Sequence, residues 1–115
     1  MTRAERAQQL WSLLALAASS RQILTYDMVA RLTGVVRPSI GDFLRPIQQY
    51  CTERELPPLT SLVVSEQTGL PGEGFIAAPD VPAAHIRVFQ HPWLETPAPS
   101  AEHFEDAYTR APGAR

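Results

Sequence analysis

The chain has 115 residues, 44% of them hydrophobic, which is enough for one domain with a modest core. No stretch approaches the roughly 18 apolar residues of a membrane span, so we expect no membrane partner. The net charge of −2 disfavours a protein that coats nucleic acid through bulk electrostatics, but it is compatible with a local basic face. The single cysteine excludes an intramolecular disulfide, and we expect a cytoplasmic protein. All basic residues are arginine, which indicates a GC-rich, bacterial coding genome.

The first predicted element is an amphipathic helix over residues 3–19. Thr2 and Glu5 form a capping-box pair in front of it. An apolar stretch flanked by arginines also resembles a signal peptide, but the capping box and the helical spacing favour a helix of a cytoplasmic protein. We expect its apolar face to lie in the core, with a dimer seam that includes Trp11 as the alternative. That face consists of Ala7, Leu10, Trp11, Leu14 and Ala18.

Two more helices follow in close succession, over residues 25–33 and 39–55. Thr25 is a good cap for the first, and Gly34 ends it where a left-handed residue is needed. Ser39 is predicted to cap the second. This order predicts a helix-turn-helix. The apolar stripes consist of Met28, Val29 and Leu32 in the first of these helices, and of Ile40, Phe43, Leu44, Ile47, Tyr50 and Cys51 in the second.

Two residues of this third helix need separate comment. Pro46 lies well inside it, so the helix must be kinked or divided there. Cys51 lies on the apolar stripe, which predicts a core position for the only thiol.

A small β-hairpin is predicted over residues 61–77. Leu62 to Val64 are strand-like, Gln67 to Gly69 form a turn, and residues 70–77 return as the partner strand, with Phe75 packed inward. A hairpin after two short helices is the order of a winged helix.

The remaining residues, 79–115, form a proline-rich, partly helical extension that we expect to pack on a winged-helix domain of residues 1–78. Asp80 is predicted to cap a short helix over 83–90, and Ser100 a last helix through Tyr108. Disorder is expected from Ala111 onward. The residues expected to pack on the domain are Ile86, Phe89, Trp93 and Leu94.

The predicted fold is therefore mainly α with a small β-hairpin wing: a winged helix-turn-helix with an N-terminal helix and a partly helical C-terminal extension. Residues 23–77 resemble the DNA-binding domain of the O6-alkylguanine-DNA alkyltransferases and the non-enzymatic alkyltransferase-like proteins. Their motifs are P-Y-G-x-V-A-x-x-x-G, R-A-V-G and P-C-H-R-V-V. The matching residues are Tyr26, Val29, Ala30 and Gly34 for the first motif, Ile40 and Gly41 for the second, and Val63 and Val64 for the third.

The departures from these motifs limit what the resemblance implies. The nucleophilic cysteine of the family falls at about Thr60, and the histidine at Ser61. Alkyl transfer needs a cysteine activated by histidine, so we expect no alkyl transfer and no enzyme. The arginine that takes the place of an extruded base in the family matches Pro38, one residue after Arg37.

We therefore predict a non-catalytic protein that binds double-stranded DNA. The resemblance places Tyr26 near a phosphate, and the first turn of the helix from Ser39 would face the DNA backbone. Arg31, Arg37 and Arg45 would supply positive charge, opposed there by Asp27 and Asp42. The predicted DNA-binding residues are Tyr26, Arg31, Arg37, Ser39 and Arg45.

No cofactor and no metal are expected. His85, His91 and His103 are six and twelve residues apart, which fits no ordinary ligand pattern. The alternative function is a protein-interaction module on the same scaffold, as a regulatory, immunity or accessory subunit or as a homodimer. The acidic balance, the absence of the family's nucleophilic cysteine and base-replacing arginine, and the aromatic residues of the extension favour it.

Overall fold

The computed structural model describes residues 1–72 and 79–111. Within these ranges the chain is mainly helical, with a sheet of two short strands. None of the described helices combines the length and apolarity that crossing a membrane requires. The elements are α1 (Arg3–Ser19), β1 (Leu24–Thr25), α2 (Tyr26–Thr33), α3 (Arg37–Glu53), a first 3₁₀ helix (Leu59–Leu62), β2 (Val63–Val64), α4 (Val81–Gln90), a second 3₁₀ helix (Trp93–Glu95) and α5 (Ala101–Arg110).

Helix α1 lies at the centre of the fold, in contact with α3, α5 and both 3₁₀ helices. Its capping box forms as predicted: the Thr2 hydroxyl accepts the Glu5 N–H at 3.1 Å, and the Glu5 carboxylate accepts the Thr2 N–H at 2.8 Å. The predicted apolar face is buried throughout. Trp11 packs within the core of its own chain, which confirms the core interpretation of this face.

An aromatic cluster joins α1 to α3 and to the C-terminal extension. The Trp11 ring makes edge contacts with Tyr50 and Trp93, at centroid distances of 5.5 and 5.6 Å. Phe104 of α5 lies at 5.9 Å from Trp11. Because aromatic side chains bury large areas, the extension supplies a substantial part of the core.

Helices α2 and α3 follow the predicted order, with a three-residue connection over 34–36. The Thr25 hydroxyl accepts the Met28 N–H at 3.1 Å, and Gly34 ends α2 at a φ of 76°, both as predicted. The predicted cap of α3 is wrong. The helix begins at Arg37 after the extended residue Val36, with no side-chain cap, and Ser39 lies inside its first turn.

Proline explains this earlier start. Pro38 occupies the first turn of α3, where its missing N–H would have had no partner within the helix and its fixed φ suits helical geometry. Pro46 does not divide α3, which runs unbroken to Glu53.

The two strands are parallel, with Leu24 opposite Val63 and Thr25 opposite Val64. The predicted hairpin is therefore corrected in part, because β2 pairs with β1 and Leu62 belongs to a 3₁₀ helix. The predicted turn is confirmed over residues 65–70, where the Ser65 N–H donates to the Leu70 carbonyl at 2.8 Å. The rest of the predicted return strand, with Phe75, lies largely in residues 73–78, outside the described residues.

The extension is helical and packs on α1, α3 and the first 3₁₀ helix. Asp80 caps α4 and Ser100 caps α5, as predicted. Trp93 and Phe89 pack on the core, but the prediction for Ile86 and Leu94 is wrong because both are exposed. The helical phase of α4 instead buries Ala84 and Val88. Ala111, expected to be disordered, is buried, and residues 112–115 lie outside the described ranges.

Candidate functional site

The N-terminal ends of α2 and α3 meet on one surface. Arg37, the first residue of α3, pairs through Nη1 with Asp27 Oδ1 and through Nη2 with Glu66 Oε2, each at 2.6 Å. Its guanidinium carbon lies 5.8 Å from the centroid of the Tyr26 ring. Two predicted DNA-binding residues, Tyr26 and Arg37, are thus neighbours. We call Tyr26, Asp27, Arg37 and Glu66 the Arg37 cluster.

Glu66 ties the Arg37 cluster to the first turn of α2. Its Oε1 accepts the backbone N–H of Asp27 at 2.8 Å, which satisfies one of the N–H groups that a helix leaves free at its N-terminus. This hydrogen bond, the one from its own backbone N–H and the Arg37 guanidinium lower the pKa of Glu66 to about 2. The hydrogen bonds to Glu66 and Asp27 in turn raise the pKa of Arg37. Two carboxylates surround one guanidinium, so negative charge is in excess.

The Arg37 cluster is open to solvent. The Arg37 side chain is 46% exposed and that of Asp27 58%. Solvent screening makes ion pairs of this kind weak contributors to stability, and their partners can exchange at low cost. The cluster is therefore reachable by a ligand.

The other predicted residues divide into two groups. Arg31 is exposed, one helical turn after Asp27, and has no ion pair within the described residues. Ser39 lies in the first turn of α3, two residues after Arg37. Arg45 is placed elsewhere: it pairs with Asp42 at 3.1 Å and lies 5.7 Å from the Tyr108 ring of α5. The structure thus brings Tyr26 and Arg37 together and places Ser39 in the same first turn of α3, whereas Arg31 lies in the last turn of α2 and Arg45 lies against α5.

The surface around the connection between α2 and α3 is apolar and uncovered. Leu32 is 61% exposed and Val36 66%. Leu32 shares the helical spacing of Met28 and Val29, but its side chain is not in the core. The first turn of α3 contains no acidic residue and no side-chain cap. Gly41, on the same helix, is exposed, and a Cβ atom there would meet nothing within 4 Å.

Gly72 lies close to the hydroxyl end of the Tyr26 side chain. A Cβ atom at Gly72 would lie 2.5 Å from the Tyr26 hydroxyl oxygen, closer than real side chains approach. A side chain at position 72 would therefore require the end of the Tyr26 side chain, or the segment after the turn over 65–70, to shift. The segment after the turn therefore packs closely against the first residue of α2.

The two positions that the resemblance aligns with the alkyl-transfer cysteine and histidine, Thr60 and Ser61, are buried. Thr60 and Ser61 lie in the first 3₁₀ helix, and their hydroxyl oxygens have no hydrogen-bond partner among the described residues. The His85 Nε2–H donates to the Ser61 carbonyl oxygen at 2.7 Å. Burial raises the pKa of the Cys51 thiol to about 12, so this thiol is protonated at neutral pH.

The three histidines lie apart from the Arg37 cluster. The His91 ring lies 4.3 Å from the Trp93 ring between centroids, tilted by 54°, and the His103 Nδ1 accepts the Ser100 N–H at 3.0 Å. In residues 1–72 and 79–111, no three histidine, cysteine or carboxylate side chains are placed to hold a metal ion.

A separate cavity of about 340 Å³ lies where the end of α3 meets α4. Its lining is mixed in charge, with Glu55 and Arg87, and otherwise consists of Cys51, Thr52, Leu56, Pro57 and Pro58. No predicted site residue lines it.

Sequence reasoning missed the pairing that defines the Arg37 cluster. Glu66 and Asp27 are separated by 39 residues, and their contact depends on the parallel β1–β2 pair, which has no periodicity signal. The presence of Gly72 so near a turn was the one visible hint of a close approach.

Comparisons with known proteins give no further guidance. No protein-family model matches the chain, and no curated protein or solved structure is significantly similar to it.

Proposed function

We propose that this chain is a non-catalytic, alkyltransferase-like protein that binds double-stranded DNA with the N-terminal end of α3. The observation that carries the proposal is the open first turn of α3, presented beside α2 after a three-residue connection and free of acidic residues and side-chain caps. The positive end of the helix dipole at such a turn attracts phosphate, although Pro38 has no N–H and the Ser39 N–H donates to the Val36 carbonyl at 2.9 Å. In a helix-turn-helix the second helix enters the major groove.

Arg31 is the cation most available to DNA in this arrangement, because it is exposed and has no acidic partner within the described residues. Arg37 and Ser39 lie in the first turn of α3, where Arg37 would have to leave its carboxylates. Tyr26 stands near the phosphate in the alkyltransferase-like interpretation. Arg45 contributes less, since it is held against α5.

The wing is part of the proposal. The confirmed turn over residues 65–70 would begin it, and the β1–β2 pair holds that turn beside the N-terminus of α2. A winged helix-turn-helix, a cytoplasmic location and a bacterial source complete the proposed description.

Fluorescence anisotropy of a labelled duplex, at about 50 and about 200 mM salt, tests the proposal. We expect salt-dependent binding, with Arg31→Ala weakening it and lowering the slope against log salt by about 1. Arg87→Ala is the matched control, because Arg87 is exposed, lies on α4 and loses the same charge. A second duplex with one O6-methylguanine tests how far the family resemblance extends to the ligand.

Two results would contradict DNA binding at this site. One is the absence of binding up to about 100 μM, the weak end of the non-specific range. The other is an equal loss of affinity in Arg31→Ala and Arg87→Ala, which would mean that overall charge, and not the end of α3, decides binding.

A protein-interaction module is the second candidate, and a specific observation favours it. Leu32 and Val36 form an uncovered apolar surface, while Arg37 and Arg45 are both paired with carboxylates. Sedimentation velocity tests the homodimer form of this candidate: association that Val36→Ser abolishes would support it, and a monomer at all concentrations would remove it.

A further inference from the structure

We propose that the Arg37 cluster is an autoinhibitory contact. In the free protein the carboxylates of Asp27 and Glu66 pair with the Arg37 guanidinium, and in the complex DNA phosphates replace them. This inference rests on the proposed DNA binding and concerns the same end of α3.

The argument begins with the geometry of the guanidinium. Arg37 offers one Nη to Asp27 and the other to Glu66, each at 2.6 Å. The planar fork of arginine matches carboxylate and phosphate oxygens alike. A phosphate that approaches Arg37 therefore competes for N–H groups that are already engaged.

Release of Arg37 leaves neither carboxylate without a partner. Glu66 keeps the Asp27 backbone N–H on its other oxygen at 2.8 Å, and the exposed Asp27 side chain can be hydrated. Arg37 itself is close to half exposed, so its pairs are screened by solvent. Replacing the carboxylate partners of Arg37 by phosphate therefore costs little free energy.

The net charge of the Arg37 cluster makes this contact inhibitory to DNA binding. With Arg37 paired, the Arg37 cluster presents two carboxylates for one guanidinium, and the excess negative charge repels a duplex. Only a DNA site whose other contacts offset this repulsion would bind tightly. The cluster would thus suppress non-specific binding, which is a form of discrimination by unfavourable contacts.

A double-mutant cycle on the full chain tests the inference, with the duplex as probe. Glu66→Gln preserves the shape of the side chain and the oxygen that accepts the Asp27 N–H, but removes the charge that holds Arg37. We expect it to tighten duplex binding about two- to five-fold, the range set by exposed ion pairs. In the Arg37→Ala background, the same substitution should have no larger effect than Glu95→Gln, a matched loss of charge on the second 3₁₀ helix.

The outcomes separate this inference from the proposed function. Equal tightening in both backgrounds would mean simple charge repulsion and would overturn the autoinhibitory contact, as would unchanged or weaker binding of Glu66→Gln. Wild-type binding without coupling removes this inference alone. Absence of wild-type binding removes the proposed function and this inference with it. Far-UV circular dichroism of each variant verifies that the helices are retained.

Discussion

Gly41 is a residue of α3 whose identity the surrounding fold does not require. It is exposed in the helix interior, its φ is not left-handed, and a Cβ atom would meet nothing within 4 Å. Glycine at such a position costs about 1 kcal/mol relative to alanine. An absent side chain on the outward face of α3 is useful where a ligand approaches the helix backbone closely.

Gly41→Ala should therefore raise the free energy of unfolding by about 0.5–1 kcal/mol and weaken duplex binding, because the added methyl group stands between helix and ligand. Urea denaturation measures the first effect and anisotropy the second. Gly69→Ala is the control for the stability measurement. It should lower the free energy of unfolding, since Gly69 has a φ of 70° and alanine would be strained there. A stability loss in Gly41→Ala would show that the glycine serves the fold.

At the scale of single residues, the sequence predicted the cations but not their partners. Arginines in or beside the two helices could be read from the sequence, and the structure places Arg31 in the last turn of α2 and Arg37 at the start of α3. Arg37 pairs with Glu66, and Arg45 lies against Tyr108 of α5. Both contacts join residues far apart in the chain. Such contacts have no local sequence signal.

At the scale of elements, capping chemistry was the most reliable guide. Thr2, Thr25, Asp80 and Ser100 each cap the helix predicted for them, because a side-chain oxygen next to a free backbone N–H is a local interaction. Ser39 failed because Pro38 fits the first turn of a helix that starts earlier. The β1–β2 pair could not be predicted, since two residues per strand are too few for an alternating pattern.

Glu66 gives the N-terminus of α2 a measurable pH dependence. Its pKa in the folded protein, about 2, lies below the ordinary value of glutamate. The group therefore contributes stability that is fully present above about pH 4.5 and is lost as the pH falls toward 2.

We expect the unfolding free energy of the wild type to fall more steeply between about pH 5 and about pH 2 than that of Glu66→Gln. Thermal or urea unfolding at several pH values measures the unfolding free energy of both proteins. The contributions of the other carboxylates are common to both and drop out of the difference. Glu95→Gln should leave the slope unchanged, because the Glu95 side chain has no ion pair or hydrogen bond in the described residues. Parallel curves for wild type and Glu66→Gln would contradict the role of Glu66 at α2.

At the scale of the whole molecule, the helical core and the candidate site occupy different parts of one scaffold. Trp11 gathers Tyr50, Trp93 and Phe104 around α1, so the extension completes the core of the helices that present the site. Helix α5 is also tied to the rest by the Arg3–Glu105 and Arg110–Glu53 ion pairs. The overall helical order followed from periodicity and caps, whereas this sharing of the core did not.

The distribution of charge fits a protein that binds through one small region. The chain is weakly acidic overall, and several arginines are paired with carboxylates on the surface. The first turn of α3 contributes no acidic residue of its own, although Arg37 there is paired with Asp27 and Glu66. Arg31, in the last turn of α2, has no ion pair in the described part of the chain. The central claim is that the N-terminal end of α3 contacts DNA.

The most direct test is a titration of the ¹⁵N-labelled full chain with duplex DNA, followed by amide chemical shifts at low salt. We predict the largest changes over residues 31–41, together with the side-chain Nε–H signals of Arg31 and Arg37, and small changes in α4 and around the cavity lined by Arg87. Changes confined to α4 or the extension, or unchanged spectra in the presence of excess duplex, would contradict the account.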